Sequence, residues 1–120
     1  NPTAFVNLGT LFANGTGVEQ SYKTAVNLYL AAAKHGSAMG QYNVGYAYQS
    51  GWLGKADYDE AFKWYNLAAA QGLTLAQLSL GLFYEFGQGA PLDRNKAAEW
   101  YRLAAKQGNA TAQSRLANIE

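Results

Sequence analysis

Cysteine is absent from this chain of 120 residues, which removes disulfides, thiolate nucleophiles and cysteine-ligated zinc from consideration. Histidine occurs once, at His35, so no second imidazole exists to complete a metal site. Charge is scarce too: 14% of residues are charged, of mixed sign, for a net of +1. That balance argues against nucleic acid or an anionic membrane surface as the main partner. Although 49% of residues are hydrophobic, no apolar run approaches the roughly 20 residues that a spanning helix needs. Mean hydropathy is −0.24, and no membrane insertion is expected. Proline occurs only twice, against thirteen glycines. For a chain of one-domain length, that glycine excess is the feature to explain.

The glycines recur. Gly9, Gly45 and Gly81 are 36 residues apart, as are Gly15, Gly51 and Gly87, and Gly36, Gly72 and Gly108. Tyr29, Tyr65 and Tyr101 keep the same register, with Ala25, Ala61 and Ala97 and with Ala32, Ala68 and Ala104. A fixed period of this length marks an array in which each unit buries its face against its neighbours. The chain divides into repeats 2–37, 38–73 and 74–109 and a partial fourth, 110–120, in one continuous domain (1–120).

Each repeat reads as two helices. Asn1, Ser37 and Asn109 precede the first helices and Ser21, Asp57 and Asp93 the second, all short polar residues suited to capping free N–H groups. Pro2 fits a first helical position. Leu73 breaks the cap register, and Thr74 with Gln77 offers a substitute capping box, while Asp57 with Glu60 supplies another. Gly15, Gly51 and Gly87 close the first helices in positive φ. The turns at Gly36, Gly72 and Gly108 are too tight for anything but antiparallel neighbours. Seven helices follow, all α. Alanines late in the second helices let neighbours approach, and Leu28, Trp64 and Trp100 supply bulk between repeats.

The search for chemistry returns little. His35 falls at a helix C-terminus, where a cation is favourable, and Ser37 is explained as a cap. Gly36-Ser37-Ala38-Met39-Gly40 places its serine one position early for a nucleophile elbow, and no S-x-x-K occurs. Gly51 to Lys55 has the wrong glycine spacing for a phosphate loop, and Ala56 follows the lysine. No catalytic residue, cofactor or metal is expected. The basic residues alternate with Asp59, Glu60 and Glu99 along the second helices, a solvated face without a phosphate footprint.

Gln41-Tyr42-Asn43-Val44-Gly45-Tyr46-Ala47-Tyr48 and Ala76-Gln77-Leu78-Ser79-Leu80-Gly81-Leu82-Phe83-Tyr84 resemble the first helix of Sel-one-like repeats. Lys96-Ala97-Ala98-Glu99-Trp100-Tyr101-Arg102-Leu103-Ala104-Ala105 is similar to the family's K-A-x-x-W-Y-x-x-A-A second helix, as is the segment from Ala61 to Ala69. The loops at Gly15-Thr16-Gly17-Val18 and Gly87-Gln88-Gly89 resemble its G-x-G-V turn. Gly51-Trp52-Leu53-Gly54 departs from it, with the second glycine displaced and a tryptophan that either contacts a partner or folds back onto the helix ends. The resemblance covers the whole chain. It implies an all-α, right-handed superhelical α/α solenoid, related to tetratricopeptide arrays, of three full repeats and one capping helix.

In such solenoids one face of the first helices lines the concave surface. Here that face carries Asn7, Thr10, Met39, Tyr42, Asn43, Tyr46, Gln49, Leu75, Leu78, Ser79, Leu82, Glu85, Phe86 and Arg115. These are the candidate partner-binding residues. Tyr46, Leu82 and Phe86 are the strongest of them, whereas Tyr42 and Leu78 fit equally well between adjacent first helices. Asn7 and Asn43 share a register and suit the backbone of an extended peptide. The expectation is a protein-interaction scaffold that binds a peptide or partner helix, with self-association through the repeat ends as a further possibility. The alternative is a hydrolase acting on cell-wall or β-lactam-like amides, for which neither a serine–lysine pair nor zinc ligands are present. The chain opens on Asn1 without a methionine or signal segment, which reads as a processed or excised piece. The resemblance suggests a bacterial periplasmic or secreted setting slightly ahead of a cytoplasmic one.

Overall fold

The computed structural model describes residues 1–119. Among them are seven helices and no strand: α1 (Pro2–Asn14), α2 (Tyr22–Lys34), α3 (Ala38–Ser50), α4 (Tyr58–Ala70), α5 (Thr74–Phe86), α6 (Arg94–Lys106) and α7 (Ala110–Ile119). None is long and apolar enough to cross a membrane. Each helix packs chiefly on its predecessor and successor in the chain, and the molecule extends 45 × 28 × 23 Å. That is an α-helical solenoid.

The helix starts are set by local chemistry. Asn1, Ser21, Ser37, Asp57, Asp93 and Asn109 each accept a first-turn backbone N–H, at distances between 2.8 and 3.3 Å. The box expected from Thr74 and Gln77 does not form. α5 starts behind Leu73, which has no side-chain cap and packs against the core, while buried Gln77 turns to Gln107. The box at Asp57 is half made. Asp57 caps the Glu60 N–H, but its own N–H donates to the Tyr48 carbonyl at 2.9 Å, leaving Glu60 to Lys63 at 3.6 Å.

That Asp57 bond belongs to a repeated clasp. Ser21 N–H to Phe12 O and Asp93 N–H to Tyr84 O are its equivalents, each 2.9 Å. They tie the start of every second helix to the last turn of the first and fix the antiparallel pair. In the departing turn, Trp52 N–H still reaches Ala47 O at 3.0 Å, matching Thr16 to Leu11 and Gln88 to Phe83. The displaced Gly54 takes φ 120° and absorbs the difference within the loop.

The core is a row of similar cells. Tyr29 with Ala25 and Val44, Tyr65 with Ala61 and Leu80, and Tyr101 with Ala97 and Ala112 form successive buried clusters. Trp64 and Trp100 each reach back into the preceding cluster and tie adjacent repeats together. The glycine inside each first helix makes room for the tyrosine ring. A Cβ on Gly45 would lie 2.8 Å from Tyr65 Cε1, and one on Gly81 closer still to Tyr101.

Candidate functional site

Helical periodicity places one set of α3 residues in the core and another outside. Val44 and Ala47 are wholly buried, whereas Met39 and Tyr46 are exposed and Tyr42, Asn43 and Gln49 half-buried. α5 repeats the division, with Leu80 and Phe83 inside, Leu75 and Phe86 exposed, and Leu78, Ser79, Leu82 and Glu85 between. On α1, Asn7 and Thr10 are exposed, and on α7 Arg115 is half-buried.

Two clefts follow one another along the seam between α1 and α3. One, of about 440 Å³, is lined by Thr3, Val6, Asn7, Ser37, Ala38 and Met39. The other, of about 500 Å³, is lined by Thr10, Ala13, Asn14, Tyr29, Tyr42, Asn43, Tyr46 and Trp52. Both fall within the size range of ligand pockets, and neither is lined by a charged side chain. The amides of Asn7, Asn14 and Asn43 make no hydrogen bond to protein among the described residues. Trp52 completes the second cleft from the departing loop. It folds back, stacking on Tyr22 at 4.3 Å with its ring nearly parallel and meeting Tyr46 edge-to-face at 5.8 Å.

Other candidates are already engaged. Tyr42 lies 5.4 Å from the Tyr65 ring and 6.4 Å from Tyr46; burial pushes its hydroxyl above the ordinary phenol range, with the Ser79 side chain working against that. Ser79 donates its hydroxyl hydrogen to the Leu75 carbonyl at 3.0 Å. Gln49 accepts from the buried Tyr65 hydroxyl at 2.5 Å, and Thr10 meets the Tyr29 hydroxyl at 3.0 Å. Leu78 and Leu82 pack against the third core cluster.

Glu85 and Arg115, read from the sequence as separate binding residues, face each other. Arg115 Nη2 and Nε donate to the two Glu85 oxygens at 2.6 and 3.1 Å, and the Tyr101 hydroxyl donates to Glu85 Oε1 at 2.7 Å. Burial raises the Glu85 carboxyl, but the bonds from Arg115 and Tyr101 outweigh it and hold the group below its usual range. The guanidinium also lies 5.0 Å over the Phe86 ring. This cluster fastens α7 to α5.

Sequence reasoning missed a second polar row. Gln71 Nε2 donates to Gly36 O and Gln41 Oε1, both at 2.9 Å, and Gln107 repeats this with Gly72 and Gln77 at 3.1 and 2.8 Å. In the first repeat the two registers hold Phe5 and His35, whose rings stack at 6.2 Å. The 36-residue recurrence of Gln41 with Gln77 and of Gln71 with Gln107 was the available signal. His35 is thereby in a packing role, and no group of three or more His, Cys, Asp or Glu that could hold a metal occurs among the described residues.

The model of the family described as "Sel1 repeat" matches residues 5–37, 38–73 and 74–109. No curated protein matches the chain. Among solved structures, the chain is similar to c5321, a protective antigen present in uropathogenic Escherichia coli strains with an SLR fold. The TM-score is 0.95 and the identity 40%, over 98% of this chain and 25% of that one. A Sel1 repeat protein from Oxalobacter formigenes gives a TM-score of 0.91 and 35% identity over 97% and 46%. Cysteine rich protein B of Helicobacter pylori gives 0.76 and 21% over 96% and 89%, a likeness of fold alone. The chain thus spans a quarter and just under half of the first two relatives.

Proposed function

Because the chain belongs to the Sel1 repeat family, whose repeats generally serve as non-catalytic protein-interaction scaffolds, we propose that it docks a peptide segment of a partner protein along the exposed face of α1, α3 and α5. One observation carries this reading. The face keeps large side chains in solvent at non-scaffold registers: Tyr46 is 45% and Phe86 56% exposed, with Met39 and Leu75 alongside. The scaffold registers of α3 and α5, Val44 with Ala47 and Leu80 with Phe83, are almost fully buried. An apolar stripe on a surface otherwise rich in amides is the composition of a docking groove, in which a few buried anchors supply most of the affinity. Burying such a side chain contributes about 1.5–3 kcal/mol, so three or four anchors reach micromolar affinity after association costs.

The test uses random peptides displayed on phage and selected against the purified chain. Selected peptides should bind the wild type and lose at least about tenfold in affinity to a Tyr46→Ala, Leu75→Ala, Phe86→Ala variant. These three are chosen over Leu82 because they lie outside the core, so helical circular dichroism should not change. Affinity that survives all three substitutions would remove the face from the reading.

A further inference from the structure

The cleft that Trp52 completes has a composition more specific than a general groove. We propose that it takes an uncharged, proline-containing segment in the extended polyproline conformation; the inference rests on the peptide-docking reading and names the class of peptide.

The first ground is the shape of the aromatic wall. Trp52 is held on one side by Tyr22, stacked at 4.3 Å with 13° between the rings. Tyr46 stands against it with an interplanar angle of 86°. Two ring planes at right angles, one anchored and one 45% exposed, form a corner that a compact pyrrolidine ring fills against both. Aromatic-lined grooves of this kind suit the polyproline conformation, whose ordering is largely complete before binding.

Hydrogen-bonding supply is the second ground. Among the described residues, Asn14 and Asn43 bring amide donors with no protein partner, and Tyr46 lines the same cleft. A proline-rich segment has carbonyl acceptors without internal hydrogen bonds, and its prolines lack N–H groups. It therefore needs donors. A helical peptide would arrive with its backbone bonds already made and would leave these amides without a partner once water is displaced.

Charge is the third. No charged side chain lines the cleft, and Glu85 and Arg115 are committed to each other at the far end of the face. An ionised segment would lose its hydration there without gaining a counter-charge.

The probe is an end-blocked, fluorescein-labelled alanine–proline peptide of about nine residues, titrated by fluorescence polarisation to about 1 mM chain. It should bind saturably, and a glycine-for-proline peptide of equal length should bind about tenfold more weakly. Tyr46→Ala and Asn43→Ala should each weaken the proline peptide by about three- to tenfold, and Trp52→Phe should weaken it less than Tyr46→Ala. Tyr46 lies on the surface and Trp52→Phe keeps a ring on Tyr22, so both variants should retain the fold. Loss of the glycine–proline distinction, or binding indifferent to Tyr46→Ala, would overturn the inference. If phage-selected peptides bind this face while proline peptides do not saturate, the inference fails and the docking reading stands. If neither class binds, both fail.

Discussion

At the scale of single residues, the structure turns on one glycine register and one ion pair. Gly45 and Gly81 admit tyrosine rings that are wholly buried and tied by their hydroxyls to Gln49 and Glu85. Alanine at either site gains about 1 kcal/mol of helix propensity but forces a methyl into a ring that has nowhere to go, at about 1–3 kcal/mol. Overpacking wins. Gly81→Ala, whose Cβ approach is the closer and whose cost lies at the upper end of that range, should therefore lower the unfolding free energy by about 2 kcal/mol in urea, more than Gly45→Ala. Equal or greater stability of either variant would refute the close-packing account. The Glu85–Arg115 pair gives a pH signature. Its folded-state pKa lies below the ordinary 4.5, so the unfolded chain takes up that proton first as the medium is acidified. The pair's contribution is complete above that ordinary value and disappears as pH falls through the depressed one. Urea midpoints measured from neutral pH to about pH 3 should fall more steeply for the wild type than for Glu85→Gln, in which that proton uptake is absent. Parallel curves would show that the pair carries no linkage.

The elements were readable wherever the cause was local, and less so where it was not. Six polar caps, the glycine C-termini and the pairing of helices follow from residues within a few positions of each helix end, and the structure has them as expected. Leu73 broke the rule because its side chain serves the core, a tertiary demand that no capping pattern reveals. The candidate face was legible as a periodicity, but its wiring was not: Glu85 meets Arg115, and Gln41 meets Gln71, each across 30 residues. Trp52 was open between two roles until the ring of Tyr22 was seen beneath it. The glutamine row offers a test at this scale. Gln71→Ala strands the carboxamide oxygen of nearly buried Gln41, which should cost about 1–3 kcal/mol. The first repeat has solved the same junction with Phe5 on His35. Gln41→Phe combined with Gln71→His should then be closer to wild type than Gln71→Ala alone, measured as a double-mutant cycle. A pair that is worse than either single substitution would mean that the two registers are not interchangeable between repeats.

For the whole molecule, the one-dimensional build leaves α1 unlike the first helices of the later repeats. Interior first helices bury Val44 with Ala47, and Leu80 with Phe83, against the second helix before them. α1 carries Leu8 and Leu11 in those registers, 42% and 40% exposed, because no helix lies on that side of it among the described residues. With about two-fifths of its surface left to bury, each leucine stands to gain about 1 kcal/mol, enough to drive weak association between copies but short of a stable dimer on so narrow a face. Sedimentation velocity over rising concentration should show the wild type associating, and Leu8→Gln with Leu11→Gln should raise the apparent dissociation constant at least about tenfold. Thermal stability should fall only modestly, since each side chain keeps about two-fifths of its surface in water. Asn7 and Thr10, which serve the cleft, precede these leucines by one residue and so lie about 100° around the helix. Tyr46→Ala should consequently associate as the wild type does, while the leucine pair should leave peptide binding intact. A double variant that associates unchanged, or a wild type that is monomeric throughout, would remove the Leu8–Leu11 face of α1 as an adhesive surface.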